Sequence, residues 1–191
     1  MKHTLPNPEI ADRLPPSASP TDVLREEHEV ILRALGILER FGRDMQQGKS
    51  VNPESLRWLA DFFKSFADRC HHGKEEQLLF PVLEKLGVPR EGGPIGVLLG
   101  EHEEGRALVR AFAEADPRTA PQAIRRFVDL LRDHISKENE VLFPMSDQIL
   151  PPQQQRELMN AFEKVEQEVA GPEAHRRFHE GLVRLESETT P

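Results

Sequence analysis

Residues 71–81 read HHGKEEQLLFP, and the same pattern returns without a gap at residues 134–144 as HISKENEVLFP. Six of the eleven positions are identical: the first His, the Lys, one Glu and the closing Leu-Phe-Pro. A shorter pattern, Glu-His-Glu, occurs at residues 27–29 and again at residues 101–103. The two patterns alternate along the chain, so the sequence indicates one helical hairpin that is used twice.

Helical spacing of the apolar residues predicts four long helices. Two of them begin at a capping residue followed by proline, Ser19-Pro20 and Asn52-Pro53, which is a typical N-terminal signal. The predicted helices span about residues 19–47, 52–87, 95–115 and 119–150. Strand signals are absent, because the chain contains no Tyr and no Asn-Gly or Asp-Gly turn. Four helices with short connections predict an all-α, up-down-up-down four-helix bundle.

The predicted bundle occupies residues 19–150 and is flanked by two different segments. Residues 1–18 are rich in Pro, Ser and Asn and lack helical periodicity, so we expect a flexible N-terminal arm. Residues 151–191 are more polar, and we expect a C-terminal helical extension that is broken at the Gly-Pro pair at residues 171–172.

The extension has two features whose role the sequence leaves open. Its apolar stripe consists of Leu158, Phe162, Val165 and Val169. The stripe either covers the bundle or mediates dimerisation, and the oligomeric state stays undecided. His175 and His179 are four residues apart and would bind a metal ion if the extension folded over the bundle, although their charged neighbours favour a solvated face.

The composition of the 191-residue chain excludes several functions and locations. A formal net charge of −8 argues against nucleic acid as the main partner and against docking on anionic lipid. The single cysteine, Cys70, allows no intramolecular disulfide. No apolar run is long enough for a membrane span or a signal peptide. We therefore expect a cytoplasmic protein with neither nucleic acid nor a membrane as partner.

The first copy of the long repeat has one apolar and one polar face. Residues three or four positions apart share a face of an α-helix. His71 and Glu75 lie in line with an apolar stripe, whereas His72 and Glu76 lie in line with polar residues. We expect His71 and Glu75 to point into the core and His72 and Glu76 to face solvent. A further metal ligand at His72 is the open alternative.

The second copy and the Glu-His-Glu patterns add to the inward face. His134 and Glu138 follow an apolar stripe on the fourth predicted helix. His28 and His102 are the central residues of the two Glu-His-Glu patterns, on the first and third helices. The candidate metal ligands are therefore His28, His71, Glu75, His102, His134 and Glu138.

Two carboxylates in an apolar core require a common partner, because an unpaired buried carboxylate is strongly destabilising or is driven neutral. A cation between the helices, with neutral imidazoles as further ligands, satisfies this requirement. Four His and two Glu suit iron or manganese and are too many for one tetrahedral zinc ion. A single HxxxE is usually a surface pair. The duplication therefore favours metal ligation over a bundle without metal.

Other residues near the candidate ligands have simpler expected roles. Phe80 and Phe143, five residues after each Glu, are expected to form apolar walls around the site. Pro81 and Pro144 each lack a backbone N–H and are expected to kink the second and fourth helices. Cys70 is expected to be a small core residue, with redox sensing as the alternative.

These motifs resemble those of the hemerythrin-like family, the HHE cation-binding domains, over about residues 20–150. The doubled H-x-x-x-E-x-x-x-L-F-P signature carries the resemblance. The resemblance implies a four-helix bundle with a non-haem diiron cofactor, two iron ions with an oxo or hydroxo bridge. The iron ligands that it implies are His28, His71, Glu75, His102, His134 and Glu138, with the two Glu as bridges.

The chain departs from the oxygen-carrying members of that family in two ways. Those members have an HxxxH pair on the third helix, where this chain has His102 followed by Arg106. They also have Asp on the last helix, where this chain has Glu138. The pattern is more similar to bacterial members tied to nitric oxide, peroxide and iron–sulfur repair. Repair members often have an extra N-terminal domain, which we do not expect residues 1–18 to supply.

The function expected from this resemblance is binding or sensing of dioxygen, nitric oxide or peroxide at the diiron site. An enzyme that disproportionates peroxide or reduces nitric oxide is the second interpretation. Iron storage or donation, including donation in iron–sulfur repair, is the third, and a metal-free interaction module is the fourth. The residues do not decide whether the protein is an enzyme.

Overall fold

The computed structural model describes residues 18–188 except for residues 115 and 117, and the side chains of residues 170–175 are not described. Apart from its last residue, the arm expected at residues 1–18 lies outside the described residues. Every regular element in the described part of the chain is helical. The fold is the predicted all-α, up-down-up-down four-helix bundle with an additional C-terminal helix.

The helices begin and end close to the predicted positions. The first is α1 (Pro20–Gln46). The second consists of α2 (Pro53–Phe62), π1 (Phe63–His72), π2 (Glu75–Leu79) and α3 (Phe80–Lys85). The third is α4 (Pro94–Glu114). The fourth consists of α5 (Ala120–Lys137), π3 (Glu138–Leu142) and α6 (Phe143–Ile149). The C-terminal helix consists of α7 (Pro152–Val165), π4 (Glu166–Ala170) and α8 (Gly171–Glu188).

The N-terminal caps have the predicted chemistry. The side chain of Ser19 accepts a hydrogen bond from the backbone N–H of Asp22, and the Asp22 carboxylate accepts one from the Ser19 N–H. Asn52 likewise accepts a hydrogen bond from the N–H of Glu54 over 2.9 Å. These contacts satisfy backbone donors that have no partner inside the helix, so they fix where α1 and α2 begin.

Each proline within a long helix follows a π-helical turn. The segments π2, π3 and π4 each end two residues before a proline, at Pro81, Pro144 and Pro172. In the first two cases the N–H of Phe80 or Phe143 bonds to a carbonyl five residues earlier instead of four. Proline removes one donor from the helical hydrogen-bond ladder, and the wider turn lets the helix continue. The break expected at residues 171–172 therefore does not occur.

The interior consists of two apolar clusters with a polar layer between them. The larger cluster includes residues from all four long helices and from α8. The smaller cluster occupies the other end of the bundle and includes residues of α7. On α1, Leu24 belongs to the smaller cluster, His28 to the polar layer and Ile31 to the larger cluster. On the fourth helix, Leu131 and Leu142 flank the layer in the same way.

The C-terminal helix covers the bundle. Leu158 and Phe162 are buried in the smaller apolar cluster, and Leu182 and Leu185 are fully buried in the larger one. Leu158 and Phe162 of the predicted stripe thus pack within the chain, whereas Val169 is 46% exposed.

None of the described helices is long and apolar enough to cross a membrane.

Gly181 of α8 lies directly against the ring of Trp58, so its substitution tests the docking of the C-terminal helix. A Cβ atom on Gly181 would lie 2.0 Å from Cζ2 of Trp58. We expect Gly181→Ala to lower the free energy of unfolding by about 1–3 kcal/mol, the usual cost of overpacking, in urea denaturation followed by circular dichroism. Gly100→Ala is the matched control, because nothing lies within 4 Å of its Cβ position. Equal stability of the two variants would contradict this packing.

Candidate metal centre

All six candidate ligands converge in the polar layer. They are His28 on α1, His71 on π1, Glu75 on π2, His102 on α4, His134 on α5 and Glu138 on π3. Each of them is at most 1% exposed. Both glutamates are the first residues of π-helical segments, an element that is rare in general and frequent at functional sites. The structure therefore brings together every residue that the repeat singled out.

The ligand atoms form two overlapping groups. The inner cluster consists of His28, His71, Glu75 and Glu138. The cleft-side cluster consists of His72, Glu75, His102 and His134. Within each cluster, one nitrogen or oxygen per residue lies within 4.8 Å of the corresponding atoms of the others. Glu75 belongs to both clusters, so the two potential metal positions are neighbours.

The two carboxylates lie between the histidines of the two clusters. Oε1 of Glu75 is 3.7 Å from Nε2 of His71, and Oε2 is 3.5 Å from Nε2 of His102. Oε2 of Glu138 is 3.2 Å from Nε2 of His28 and 3.2 Å from Nε2 of His134. Each carboxylate thus faces one histidine of the inner cluster and one of the cleft-side cluster.

Most of the inward-facing atoms lack a hydrogen bond, which makes them fit a cation. Among the described residues, Nε2 of His28, Nε2 of His71 and the carboxylate oxygens of Glu75 and Glu138 form no hydrogen bond of acceptable geometry, although Glu138 lies 3.2 Å from two of the histidines. Buried polar atoms are nearly always paired, because leaving them unpaired costs free energy. Lone pairs of imidazole and carboxylate that point at one another are satisfied by a metal ion between them. The donor set therefore fits the metal that the motif implies.

The outward nitrogen of each of the four histidines is held by a polar side chain. The Nδ1–H of His71 donates to Glu27 over 2.9 Å, and that of His134 donates to Glu101 over 3.0 Å. The Nδ1–H of His28 donates to Oδ1 of Asn139 over 2.9 Å, and that of His102 donates to Oε1 of Glu76 over 2.7 Å. A carboxylate only accepts, so the contacts of His71, His102 and His134 place a proton on Nδ1, and Oδ1 of Asn139 accepts from His28 in the same way. Nε2 of His28 and of His71 then faces the site without a hydrogen bond, whereas Nε2 of His102 lies 3.1 Å from Nε2 of His134.

The residues that hold these imidazoles were not among the predicted site residues, although the repeat contained their signal. Glu27 and Glu101 are the first residues of the two Glu-His-Glu patterns, and Lys74 and Lys137 are identical in the two copies of the long repeat. Lys74 donates to Glu27 over 2.5 Å, and Lys137 contacts Glu101. Each half of the site therefore contains the same Lys, Glu and His chain.

The two Lys–Glu–His chains differ in their environment. The side chain of Lys74 is fully buried and also donates to Glu166 of π4 over 2.7 Å, whereas that of Lys137 is 45% exposed. Burial opposes the charged form of Glu27, but the Lys74 ammonium outweighs it and lowers the pKa of Glu27 to about 2. The C-terminal helix thus seals the inner half of the site, and the cleft-side half stays closer to solvent.

The central carboxylates have opposite pKa shifts. Burial, followed by the nearby Glu138 carboxylate, raises the pKa of Glu75 well above its usual value. Burial also disfavours the charged form of Glu138, but the adjacent His134 outweighs it and holds the pKa of Glu138 well below its usual range. Burial lowers the pKa of His134, yet Glu138 and Glu101 raise it to about 9. The carboxyl groups of Glu75 and Glu138 cannot both stay ionised in this space without a cation. A metal ion that binds between them therefore displaces protons.

The prediction that His72 faces solvent is wrong. His72 is 6% exposed, and its ring stacks on that of His102 with 3.8 Å between the centroids. The reason is π1, in which each N–H bonds five residues back and each turn holds more residues than in an α-helix. Side chains at the end of π1 therefore point in directions that the α-helical period does not predict, and the side chain of His72 lies in the cleft-side cluster.

Glu76 does not face bulk solvent either. Its side chain is 24% exposed and accepts hydrogen bonds from His102 and, over 2.6 Å, from Arg106. Arg106 also donates to Asp68 and Glu103, over 2.7 Å in each case. Arg106, four positions after His102, is thus the centre of an ion-pair network. The network positions Glu76, and Glu76 in turn positions the imidazole of His102.

A cleft of about 290 Å³ opens beside this network. Its lining includes Phe63, Asp68, His72, Arg106 and Phe127. Among the described residues of the two clusters, His72 is the one that lines the cleft. The cleft therefore approaches the site from the side of the cleft-side cluster.

The apolar walls are confirmed. The ring of Phe143 stacks on His28 with 5.4 Å between centroids, and that of Phe80 stacks on His102 at 6.0 Å. Both phenylalanines are fully buried. They close the site toward the smaller apolar cluster and exclude water from it.

Of the other candidates, Cys70 and His179 lie outside both clusters. Cys70 is buried, and burial raises the pKa of its thiol to about 12, so it stays protonated in the core. His179 is half-buried on α8 and belongs to neither cluster. The side chain of His175 is among those that the structure does not describe.

Comparison with known families and proteins agrees with this geometry. The family model of the Hemerythrin HHE cation binding domain matches residues 19–146. An uncharacterized protein of Mycobacterium tuberculosis is 27% identical over 175 residues, which are 86% of this chain and 64% of that protein. Iron-sulfur cluster repair proteins YtfE of Salmonella newport and Salmonella agona are each 38% identical over 131 residues, 61% of this chain and 56% of theirs.

The chain spans less than two thirds of the length of these relatives. No solved structure gives a significant match.

The repeat offers a matched test of the buried Lys–Glu–His chain. Lys74→Met leaves the carboxylates of Glu27 and Glu166 without their buried cation, so we expect the free energy of unfolding of the metal-free protein to fall by about 3–5 kcal/mol. Lys137→Met, the equivalent change on the exposed side, is expected to cost less than about 1 kcal/mol. Urea denaturation of both variants measures the difference. Similar losses for the two would show that burial does not distinguish the two halves.

Proposed function

The chain belongs to the hemerythrin HHE cation-binding domain family and is a metal-binding protein, and from this premise we propose that it holds a non-haem diiron centre that binds small oxidants. The observation that carries the proposal is the set of buried imidazole nitrogens and carboxylate oxygens that face one another without hydrogen bonds. The ligands that we propose are His28, His71, Glu75, His102, His134 and Glu138.

The positions of the carboxylates support two metal ions. Glu75 and Glu138 each face a histidine of the inner cluster and a histidine of the cleft-side cluster, at 3.2–3.7 Å. In this proposal Glu75 and Glu138 would each supply ligand oxygens to both irons, because each lies 3.2–3.7 Å from a histidine of either cluster. Carboxylate-bridged pairs held by Glu and His on facing helices are an established use of a four-helix bundle.

The donor types support iron. The two clusters supply imidazole nitrogens and carboxylate oxygens, and the chain's one thiol, Cys70, belongs to neither. Such a mixed N and O set suits iron or manganese, whereas structural zinc favours four ligands that often include thiolate.

The protein's own groups prepare the site for a small ligand. When bound, the two irons supply the redox-active positions for dioxygen, nitric oxide or peroxide. Phe80 and Phe143 exclude water on one side and restrict the orientation of His102 and His28. The acceptors on the Nδ1 atoms hold four imidazoles in the tautomer that binds metal and raise their basicity. The cleft at His72 gives a small molecule a route to this layer.

Iron donation in iron–sulfur cluster repair is the second candidate. The name of the Salmonella relatives, which are 38% identical to this chain, favours it. The lower burial of the Lys137 side of the site also supports it, because an iron ion near solvent is more readily passed on. The same six ligands serve both functions.

We expect the protein to bind two ferrous ions per chain and Glu138→Gln to lose at least one of them, because an amide is a weaker ligand and does not bridge. Glu140→Gln is the matched control, since Glu140 is exposed and lies in the same π-helical segment. Metal analysis after anaerobic reconstitution and desalting measures the content. A wild-type protein that takes up no iron would contradict the proposed function, and so would equal iron content in both variants.

Reactivity of the loaded protein distinguishes the candidate functions. A binder or sensor gives a stoichiometric change in the visible spectrum when dioxygen, nitric oxide or peroxide is added, and an enzyme consumes an excess of it. An iron donor transfers its iron to an apo iron–sulfur protein faster than the same concentration of chelated ferrous ion does. We expect a stoichiometric spectral change, and rapid transfer without such a change would favour iron donation.

A further inference from the structure

His72 is the histidine of the site that neither the repeat nor the helical period assigned to it. In the second copy of the repeat its equivalent is Ile135, which is 3% exposed and belongs to the larger apolar cluster. His71 and His134 are therefore equivalent in the two halves of the site, whereas His72 has no equivalent histidine. The inner cluster contains two histidines, and the cleft-side cluster contains three.

The geometry of His72 is that of a ligand. One of its ring nitrogens lies within 4.8 Å of ligand atoms of Glu75, His102 and His134. The ring is 6% exposed, and it is fixed by face-to-face stacking on His102 with an interplanar angle of 15°.

His72 is held more loosely than the other four histidines. Its Nδ1 is 3.6 Å from Oδ1 of Asp68, which is beyond hydrogen-bond distance, and this buried atom has no partner among the described residues. The equivalent contacts of the other four are 2.7–3.0 Å. Asp68 is itself held by Arg106 at 2.7 Å, on the wall of the cleft.

We propose that His72 is a fifth histidine ligand, which binds the metal ion of the cleft-side cluster and stands between that ion and the cleft. This inference rests on the proposed metal centre. The two irons would then be inequivalent: His28 and His71 would hold the inner ion, and His72, His102 and His134 would hold the cleft-side ion. Because His72 has the weakest outer contact and lines the cleft, it would be the ligand most readily exchanged for an incoming small molecule.

The asymmetry agrees with the rest of the supporting shell. In the inner half, Lys74, Glu27 and Glu166 are all buried, and Glu27 holds His71 over 2.9 Å. The cleft-side half has an exposed Lys137 and an open cleft next to His72. Ligand exchange is therefore expected at one metal ion only.

The test compares His72→Phe with the wild-type protein. Phenylalanine keeps a ring that stacks on His102 but has no ligand atom. We expect anaerobic titration with ferrous ion to show that one of the two sites loses about tenfold or more in affinity, while the other is unchanged. Mössbauer spectra of the ferrous protein should show a change in one of two iron signals. His179→Gln, outside both clusters, is the control and should bind both ions as the wild type does.

Each outcome separates this inference from the proposed function. If the wild type does not bind two ions, the proposed metal centre fails. If the wild type binds two ions and His72→Phe binds both with unchanged affinity and spectra, His72 is only a stacking neighbour and the inference is overturned.

A measurement on the wild type covers the case in which His72→Phe does not fold. Pulsed EPR of the mixed-valent centre in protein labelled with ¹⁵N-histidine counts the bound nitrogens. Five supports the inference, and four contradicts it.

Discussion

The structure depends on the burial of two carboxylates between two apolar clusters. Glu75 and Glu138 are fully buried, and their oxygens lack hydrogen-bond partners among the described residues. Such a layer is unfavourable unless a cation or protons compensate its charge. The apolar clusters on both sides fix the four helices around the layer, so the fold stabilises an arrangement that is unfavourable in itself. Metal binding converts this unfavourable layer into a favourable one.

The duplicated hairpin explains how the chain builds such a site. Each copy supplies a histidine, a glutamate four residues later, and a Lys–Glu pair that holds the histidine. The copies then diverge outside this shared set. The C-terminal helix adds Glu166 to one half and buries it, while the other half keeps the cleft. The duplicated pattern therefore forms a site with a closed side and an open side.

Most of the fold and the six candidate ligands were predictable from local chemistry. Caps at Ser19 and Asn52 and the helical period fix the helices, and the repeat selects His71 over His72 as the residue that recurs. The α-helical period gave the wrong direction for the His72 side chain, because π1 has more residues per turn than an α-helix. The helical pattern of this sequence does not reveal a π-helix of ten residues. The supporting Glu27 and Glu101 were visible in the repeat, but their contacts depend on how the helices pack.

The most direct test of this account is the thermal unfolding of the metal-free protein at increasing concentrations of ferrous ion, under anaerobic conditions. If the buried layer binds iron, the midpoint rises with concentration, and stability increases by about 2.7 kcal/mol when free ion reaches a hundred times its dissociation constant. If the midpoint does not change with ferrous ion, protons alone compensate Glu75 and Glu138, and the layer is not a metal centre.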